Sequence, residues 1–236
     1  MRYKIAGIIF DINPKYSYTD LMLKAYKTDM PGAGVAIDVT DEEIAASARL
    51  DPSLEKSYHE NLVIYRKICD YVSLCSRFMM HASVLSLDGL GYAFTAQSGT
   101  GKTTHSLLWK KYFGAEIING DKPIFTYDNG YFYANGTPWC GKENYGENRR
   151  VKMQAVCFLF QSSENTIRRM HASEVISKIF DQVYLPSSPL GKERVLELLD
   201  KFITDIPFYC LGCDISRDAA LLSMRTMTGK AESEEK

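Results

Sequence analysis

Ala96-Gln97-Ser98-Gly99-Thr100-Gly101-Lys102-Thr103-Thr104 is the stretch on which the reading of this chain turns. Two glycines one residue apart let a backbone take left-handed angles and bring its amides up to anion oxygens. A lysine directly after the second glycine can reach phosphate charge, and the next hydroxyl can coordinate Mg²⁺. A helix starting at that point adds partial positive charge from its free amides. The strict G-x-x-x-x-G-K-[ST] pattern holds at Gly101, Lys102 and Thr103 but has Ala96 in its first position. Alanine there costs something only if that position needs positive φ. Ser98 to Thr104 are therefore the expected phosphate-binding residues. The plainer alternative is a Ser/Thr/Gly turn that merely caps a helix, with Lys102 solvated. The surrounding order of strand, glycine loop and helix argues against it.

Outward from the loop, Ala82–Leu87 and Gly91–Ala96 are two apolar runs around Asp88-Gly89-Leu90, the pattern of a hairpin feeding the loop. A helix to about Phe113 follows, and Gly114 suits its left-handed terminus. Ala115–Asn119 reads as a strand that ends in Gly120-Asp121. A helix of that length descends roughly 16 Å, and a strand of five or six residues climbs back roughly 17–20 Å. A right-handed crossover then returns Asp121 to the sheet edge that carries the loop. A magnesium-positioning carboxylate is needed there in phosphoryl transfer, so Thr103 and Asp121 are the expected metal ligands. The alternative is that Gly-Asp-Lys-Pro is a plain exposed turn.

The rest of the chain frames this unit. Tyr3–Ile12 reads as a first strand, followed by a loose tyrosine-rich stretch and a short strand near Val35–Asp38. Thr40 and Glu43 have capping-box spacing at a helix start, and Asp51-Pro52 ends that helix. A longer helix is predicted over Leu54–Phe78, with its apolar stripe at Leu62, Tyr65, Ile68, Cys69 and Val72. Beyond the loop unit, Ile124–Asp128 and Tyr131–Asn135 form a hairpin around Asn129-Gly130, and Gln154–Phe160 a buried strand. Helices at Ser173–Val183 and Lys192–Ile203, a strand at Phe208–Leu211 and a helix at Asp218–Met227 complete the pattern. The division expected is an amino-terminal α/β appendage with its connecting helix (1–76), a core (77–228) and a charged, disordered tail (229–236).

The hairpin, the loop, the short helix and the strand ending in aspartate together resemble the HPr kinase/phosphorylase and phosphoenolpyruvate carboxykinase superfamily. The likeness covers about residues 80–160, and more weakly the helix after Leu211. It implies an α/β fold with a mixed-sheet P-loop core, ATP and Mg²⁺ as cofactors, and transfer of a phosphoryl group to a hydroxyl. By position it gives Lys102 the phosphates, Thr103 the metal, and Asp121 the second of two adjacent acidic residues. Gly120 stands where the first would be, leaving one carboxylate for metal and hydroxyl alike. Members of the superfamily often place a histidine where His81 stands, so His81 is a candidate proton relay, against the structural role a lone histidine more often has. The signatures for a transition metal and oxaloacetate are not found, and the chain is much shorter than a carboxykinase. Smaller relatives of the HPr kinase type fit its size better.

Thr137 to Glu143 is a turn-rich segment leading to Arg149-Arg150, whose cations are candidates for stabilising transferring charge, against the reading of a solvated loop. Glu143 is a second candidate base. Cys210-Leu211-Gly212-Cys213 has redox-motif spacing but no second pair for a zinc site, so strand-end thiols are expected. The chain has 236 residues, 45% hydrophobic and 24% charged, with a formal net charge of −1 and six scattered cysteines. That balance speaks against a general nucleic-acid binder, and no segment reaches the roughly 20 apolar residues of a membrane span. With no leader-like start, the expectation is a cytoplasmic protein with reduced thiols. The expected partners are ATP and an unidentified hydroxyl-bearing acceptor, with a homo-oligomer left open. The functions that follow are an ATP-dependent kinase for a serine-type hydroxyl, a nucleotide-binding regulatory module without transfer, or a nucleotide hydrolase.

Overall fold

The computed structural model describes residues 1–230. Its first elements are Arg2–Ile5 (β1) and Ile8–Ile12 (β2), an antiparallel pair, where the sequence pattern predicts one strand. The break is Ala6-Gly7, with φ of 48° and 82°, a two-residue hairpin turn whose alanine gives no turn signal. The tyrosine-rich stretch holds a helix, Ser17–Leu23 (α1), and a 3-10 turn at Lys24–Tyr26. Val35–Ile37 (β3) adds to β2 in parallel and completes a three-stranded sheet. Asp41–Leu50 (α2) starts with the Thr40/Glu43 capping box in place.

Lys56–Ser73 (α3) stops five residues before the predicted end at Phe78. The chain turns through Ser76 at positive φ (54°) into Arg77–Met79 (β4), an edge strand of a second sheet. No glycine or proline marks that stop. Ile68, Cys69 and Val72 pack between the two sheets with Phe10, Met79 and Ile124, so α3 belongs to both.

The second sheet contains nine strands among the described residues. Ser83–Leu87 (β5) and Leu90–Thr95 (β6) form the hairpin that feeds the glycine loop, and Lys102–Phe113 (α4) follows it. Glu116–Asn119 (β7) pairs with the far side of β5. Ile124–Asp128 (β8) and Tyr131–Asn135 (β9) form the second hairpin, and Arg150–Gln161 (β10) is longer than its predicted core. Thr166–Arg169 (β11), an exposed polar strand without alternation, has no counterpart in the sequence reading. Ala172–Ile179 (α5) and Pro189–Asp205 (α6) are shorter and longer, respectively, than expected. Phe208–Cys213 (β12) and Arg217–Thr228 (α7) end the described fold. Residues 231–236 of the expected tail lie outside the described residues, while Lys230 pairs with Asp88.

The sheet is mixed. β10 runs parallel to both β6 and β12 and antiparallel to β9. On one edge β10 meets β9 at residues 150–152 and then β12 from Val156 on. Trp109 of α4, fully buried, stacks edge-on against Phe94 of β6 at 5.3 Å, and Ser106 Oγ donates to Ser83 Oγ at 2.8 Å. These contacts set the start of α4 directly over the end of β6. Among the described residues no helix is long and apolar enough to cross a membrane.

Candidate functional site

Strand topology assembles the site. β5 lies antiparallel between β6 and β7, with Ser83 opposite Phe94 and Val84 opposite Asn119. The beginning of β5 therefore meets the ends of its two neighbours. Three segments converge on that edge: the loop after β6, His81-Ala82 before β5, and Gly120-Asp121 after β7. Ala82 N donates to Asp121 O at 2.9 Å, which closes the junction.

The loop takes the shape that its glycines allow. Gly99 and Gly101 have φ of 79° and 114°, while Ala96 has no positive φ, so the departure from the strict pattern carries no backbone cost. A carbon added at either glycine would meet nothing within 4 Å. The angle demands glycine there, and the face of the loop is open. Lys102 is 7% exposed. Its ammonium donates to the carbonyls of Ala96 (2.9 Å) and Gln97 (3.3 Å) rather than to a carboxylate. Burial pushes its pKa down, and the nearby Asp121 charge partly restores it.

Asp121 is held on all sides. Its amide and that of Lys122 donate to Oδ1 of the fully buried Asn119 at 2.9 and 2.8 Å. Asn119 in turn donates through Nδ2 to Thr137. The Asp121 carboxylate has Oδ1 2.9 Å from His81 Nε2 and Oδ2 3.2 Å from Lys122 Nζ. Burial alone would raise its pKa. The hydrogen bond from His81 and the charge of Lys122 outweigh that and bring it to about 2.

A cleft of about 570 Å³ lies over this junction. Ser98, Gly99, Gly101, Lys102, Thr103 and Thr104 line it from the loop and the start of α4, with His81, Asp121 and Glu143 from the other segments. Of the loop residues Ser98 to Thr104, Thr100 alone does not line it. Thr100 lines a second cavity of about 560 Å³ on the other side of the loop, which shares Gly99, Gly101 and Thr104 with the cleft. Leu108, Leu159 and Ile215 give that second cavity apolar walls, and His105 borders it. His105 is 2% exposed and its Nδ1 has no hydrogen-bond partner. Burial lowers its pKa to about 4.

Gly120 has a spatial reason. A carbon at its Cβ position would lie 2.7 Å from the Cys140 carbonyl oxygen, so no acidic side chain fits without moving backbone. The segment that crowds Gly120 also brings a carboxylate of its own. A carbon at Gly141 would sit 3.3 Å from Asp121 Cβ and 3.6 Å from Glu143 Oε2, placing both acidic side chains beside one glycine. Arg149 and Arg150 are outside this arrangement, contrary to the sequence expectation. Arg149 pairs with Glu116 and Glu147, and Arg150 with Asp128 at the start of β10. Lys142 is the cation that this loop sends to the cleft.

Sequence reasoning missed Lys122, Asn119 and the whole opposite wall. That wall is Tyr18 and Met22 of α1 with Tyr58, Asn61, Leu62 and Tyr65 of α3. Lys122 sits over the Tyr65 ring at 5.5 Å, linking the two walls. All six cysteines are free; Cys210 and Cys213 on β12 are half-buried, and burial pushes the Cys213 thiol up to about 11.

No protein-family model and no curated protein matches the chain. Among solved structures it is similar to the HPr(Ser) kinase/phosphatase from Coxiella burnetii, at 13% identity over 64% of this chain and 88% of that one, with a TM-score of 0.37. This is a distant likeness of fold, and no chemistry of this chain follows from it.

Proposed function

We propose that the chain is an ATP-dependent kinase with a P-loop core, transferring the γ-phosphoryl group to a serine-type hydroxyl. One observation carries the reading: an open glycine loop, a buried lysine, a threonine hydroxyl and a depressed carboxylate border one cleft at one sheet edge. The residues present suit Mg-ATP. The loop's face is open, Lys102 is bound only to loop carbonyls it can exchange for phosphate oxygens, and the second cavity has apolar walls for a base. Among the described residues no three acidic, histidine or cysteine side chains cluster as metal ligands. Mg²⁺ on a nucleotide needs only one or two protein groups, with phosphate and water completing its shell. Thr103 and Asp121 would hold it.

Bound Mg-ATP supplies the transferable group and much of the charge neutralisation. The chain's own groups do the rest. Loop amides and the start of α4 hold phosphate charge, and Lys102 adds the strongest single contact. Asp121 accepts a hydrogen bond from the acceptor hydroxyl and aims its oxygen. His81, bonded to Oδ1, keeps that carboxylate from rotating. A carboxylate with a pKa near 2 is a weak base, which suffices because phosphoryl transfer has a loose transition state that asks for positioning more than for base strength. Glu143 is the second carboxylate and the alternative proton acceptor.

A nucleotide-binding module without transfer is the second reading, favoured by the packing that keeps an acidic residue out of position 120. ADP release from Mg-ATP separates the two. Sustained release that rises with a hydroxyl acceptor and stops on Lys102→Ala supports the kinase; stoichiometric binding with no turnover, with or without hydroxyl acceptors, supports the module.

A further inference from the structure

The two walls of the cleft differ in kind. Its charged side chains come from the sheet edge and from the loop after Pro138. The six that α1 and α3 contribute, Tyr18, Met22, Tyr58, Asn61, Leu62 and Tyr65, carry no charge. The α3 members fall at i, i+3, i+4 and i+7, one stripe of the helix. Tyr18 and Tyr58 stand 6.3 Å apart, each 37% exposed, so aromatic surface faces the opening.

This wall is built rather than incidental. The carboxylate of Glu60, fully buried on the reverse of α3, accepts from the amides of Lys15 (2.6 Å) and Tyr16 (3.2 Å) and so caps and fixes α1. Asn61 Oδ1 accepts from the indole N–H of Trp139 at 2.6 Å, which commits that oxygen and leaves the amide NH₂ as the wall's fixed donor.

We propose that this wall receives the phosphoryl acceptor, and that the acceptor carries its hydroxyl on an uncharged body with an aromatic or aliphatic group beside it. The inference rests on the kinase reading and narrows it. With the phosphates on the glycine loop and the base in the second cavity, the side facing Asp121 that is left for an acceptor is α1 and α3. Reacting atoms must come within about 3–3.5 Å of each other, so the acceptor lies against both walls at once. A free amino acid could pair its carboxylate and ammonium only with Lys122, Lys142 or Glu143 of the sheet wall, and any charge laid against the six helix-wall side chains would go unpaired, which is costly. A capped hydroxyl has no such cost, and apolar area laid on Tyr58 and Leu62 adds to its binding.

The test uses the full chain with Mg-ATP and two kinds of probe. Calorimetry with Mg-tripolyphosphate and Mg-ATP establishes the phosphate and base sites without an acceptor. ADP release is then followed with acetyl-phenylalanyl-serine amide and with free L-serine at equal concentration, in wild type and in Tyr58→Ala, a half-exposed position whose truncation spares the core. The capped probe should stimulate release at least about fivefold more than serine, the equivalent of roughly 1 kcal/mol. Tyr58→Ala should raise its KM by a similar factor while both calorimetric affinities stay within twofold. Stronger stimulation by free serine, or none by the capped probe, overturns the proposal. Tyr58→Ala weakening Mg-ATP but not tripolyphosphate also overturns it, because the wall would then hold the base. If neither nucleotide nor tripolyphosphate binds, the kinase reading itself fails and the inference falls with it.

Discussion

The cleft's two walls solve different problems by different means. On the sheet side the reactive groups sit on strand ends and turns, and their positions follow from backbone pairing: Ala82 to Asp121, Gly120 to Tyr145, Lys122 to Trp139. Charge is concentrated there, with Asp121 paired to His81 and Lys122. On the helix side the surface is a stripe of uncharged rings and aliphatic groups, held by packing and by one buried carboxylate cap. On the proposed reading, chemistry and recognition come from different parts of the chain. Binding of phosphate should depend on the sheet wall alone, and choice of acceptor on the helix wall.

Lys102→Ala is the largest break of this division. Losing charge-assisted bonds of about 1.5–3 kcal/mol each should lower Mg-ATP affinity at least about a hundredfold by calorimetry, where a helix-wall change such as Tyr58→Ala leaves it unmoved. Equal losses from both would erase the distinction between the walls.

Acid separates the regions further. Asp121, at about 2, keeps the sheet wall charged down to pH 4. His105, behind the loop, does not share that resistance. Its pKa falls from 6.5 to about 4 on burial, so the unfolded chain takes up the proton first. Its contribution to stability is full above pH 6.5 and is lost as pH falls toward 4, about 3 kcal/mol in all. Urea unfolding at pH 7 and pH 4.5 should show this slope, and His105→Gln should flatten it. An unchanged slope would place the acid sensitivity elsewhere.

Gly120→Ala probes the backbone of the sheet wall. A carbon 2.7 Å from the Cys140 carbonyl oxygen must push the 139–145 segment away, costing about 1–3 kcal/mol in urea unfolding. Stability within 0.5 kcal/mol of wild type, about the spread of neutral surface changes, would show that the segment yields freely. The smallest effect belongs to the arginines outside the cleft. Arg149→Gln removes a solvent-screened pair with Glu116 and should change stability by less than about 1 kcal/mol, with nucleotide affinity unaltered.

The sheet wall was the legible one. Gly99, Gly101, Lys102 and Thr103 stand in a motif whose spacing follows from phosphate geometry, and the helix-strand lengths that return Asp121 to the loop can be worked out from rise per residue. The helix wall hides in plain amphipathicity. Leu62 and Tyr65 continue the apolar stripe of α3, yet they line the cleft, while Ile68, Cys69 and Val72 are at most 2% exposed. Nothing in periodicity distinguishes a ring facing a core from a ring facing a ligand. The overrun of α3 to Phe78 has a similar cause: Leu74 to Arg77 holds no glycine or proline, and Ser76 takes positive φ without announcing it. Asn119 and Thr137, which pin Asp121, meet only in the fold, 18 residues apart.

The most direct measurement compares wild type with Asp121→Asn, which keeps the size and removes the charge. Mg-ATP affinity is measured by calorimetry, then ADP release with and without the capped serine probe. The account predicts affinity within a few-fold of wild type and acceptor-stimulated release lower by at least about 10². Release within a few-fold of wild type would contradict it, and would move the proton acceptor to Glu143.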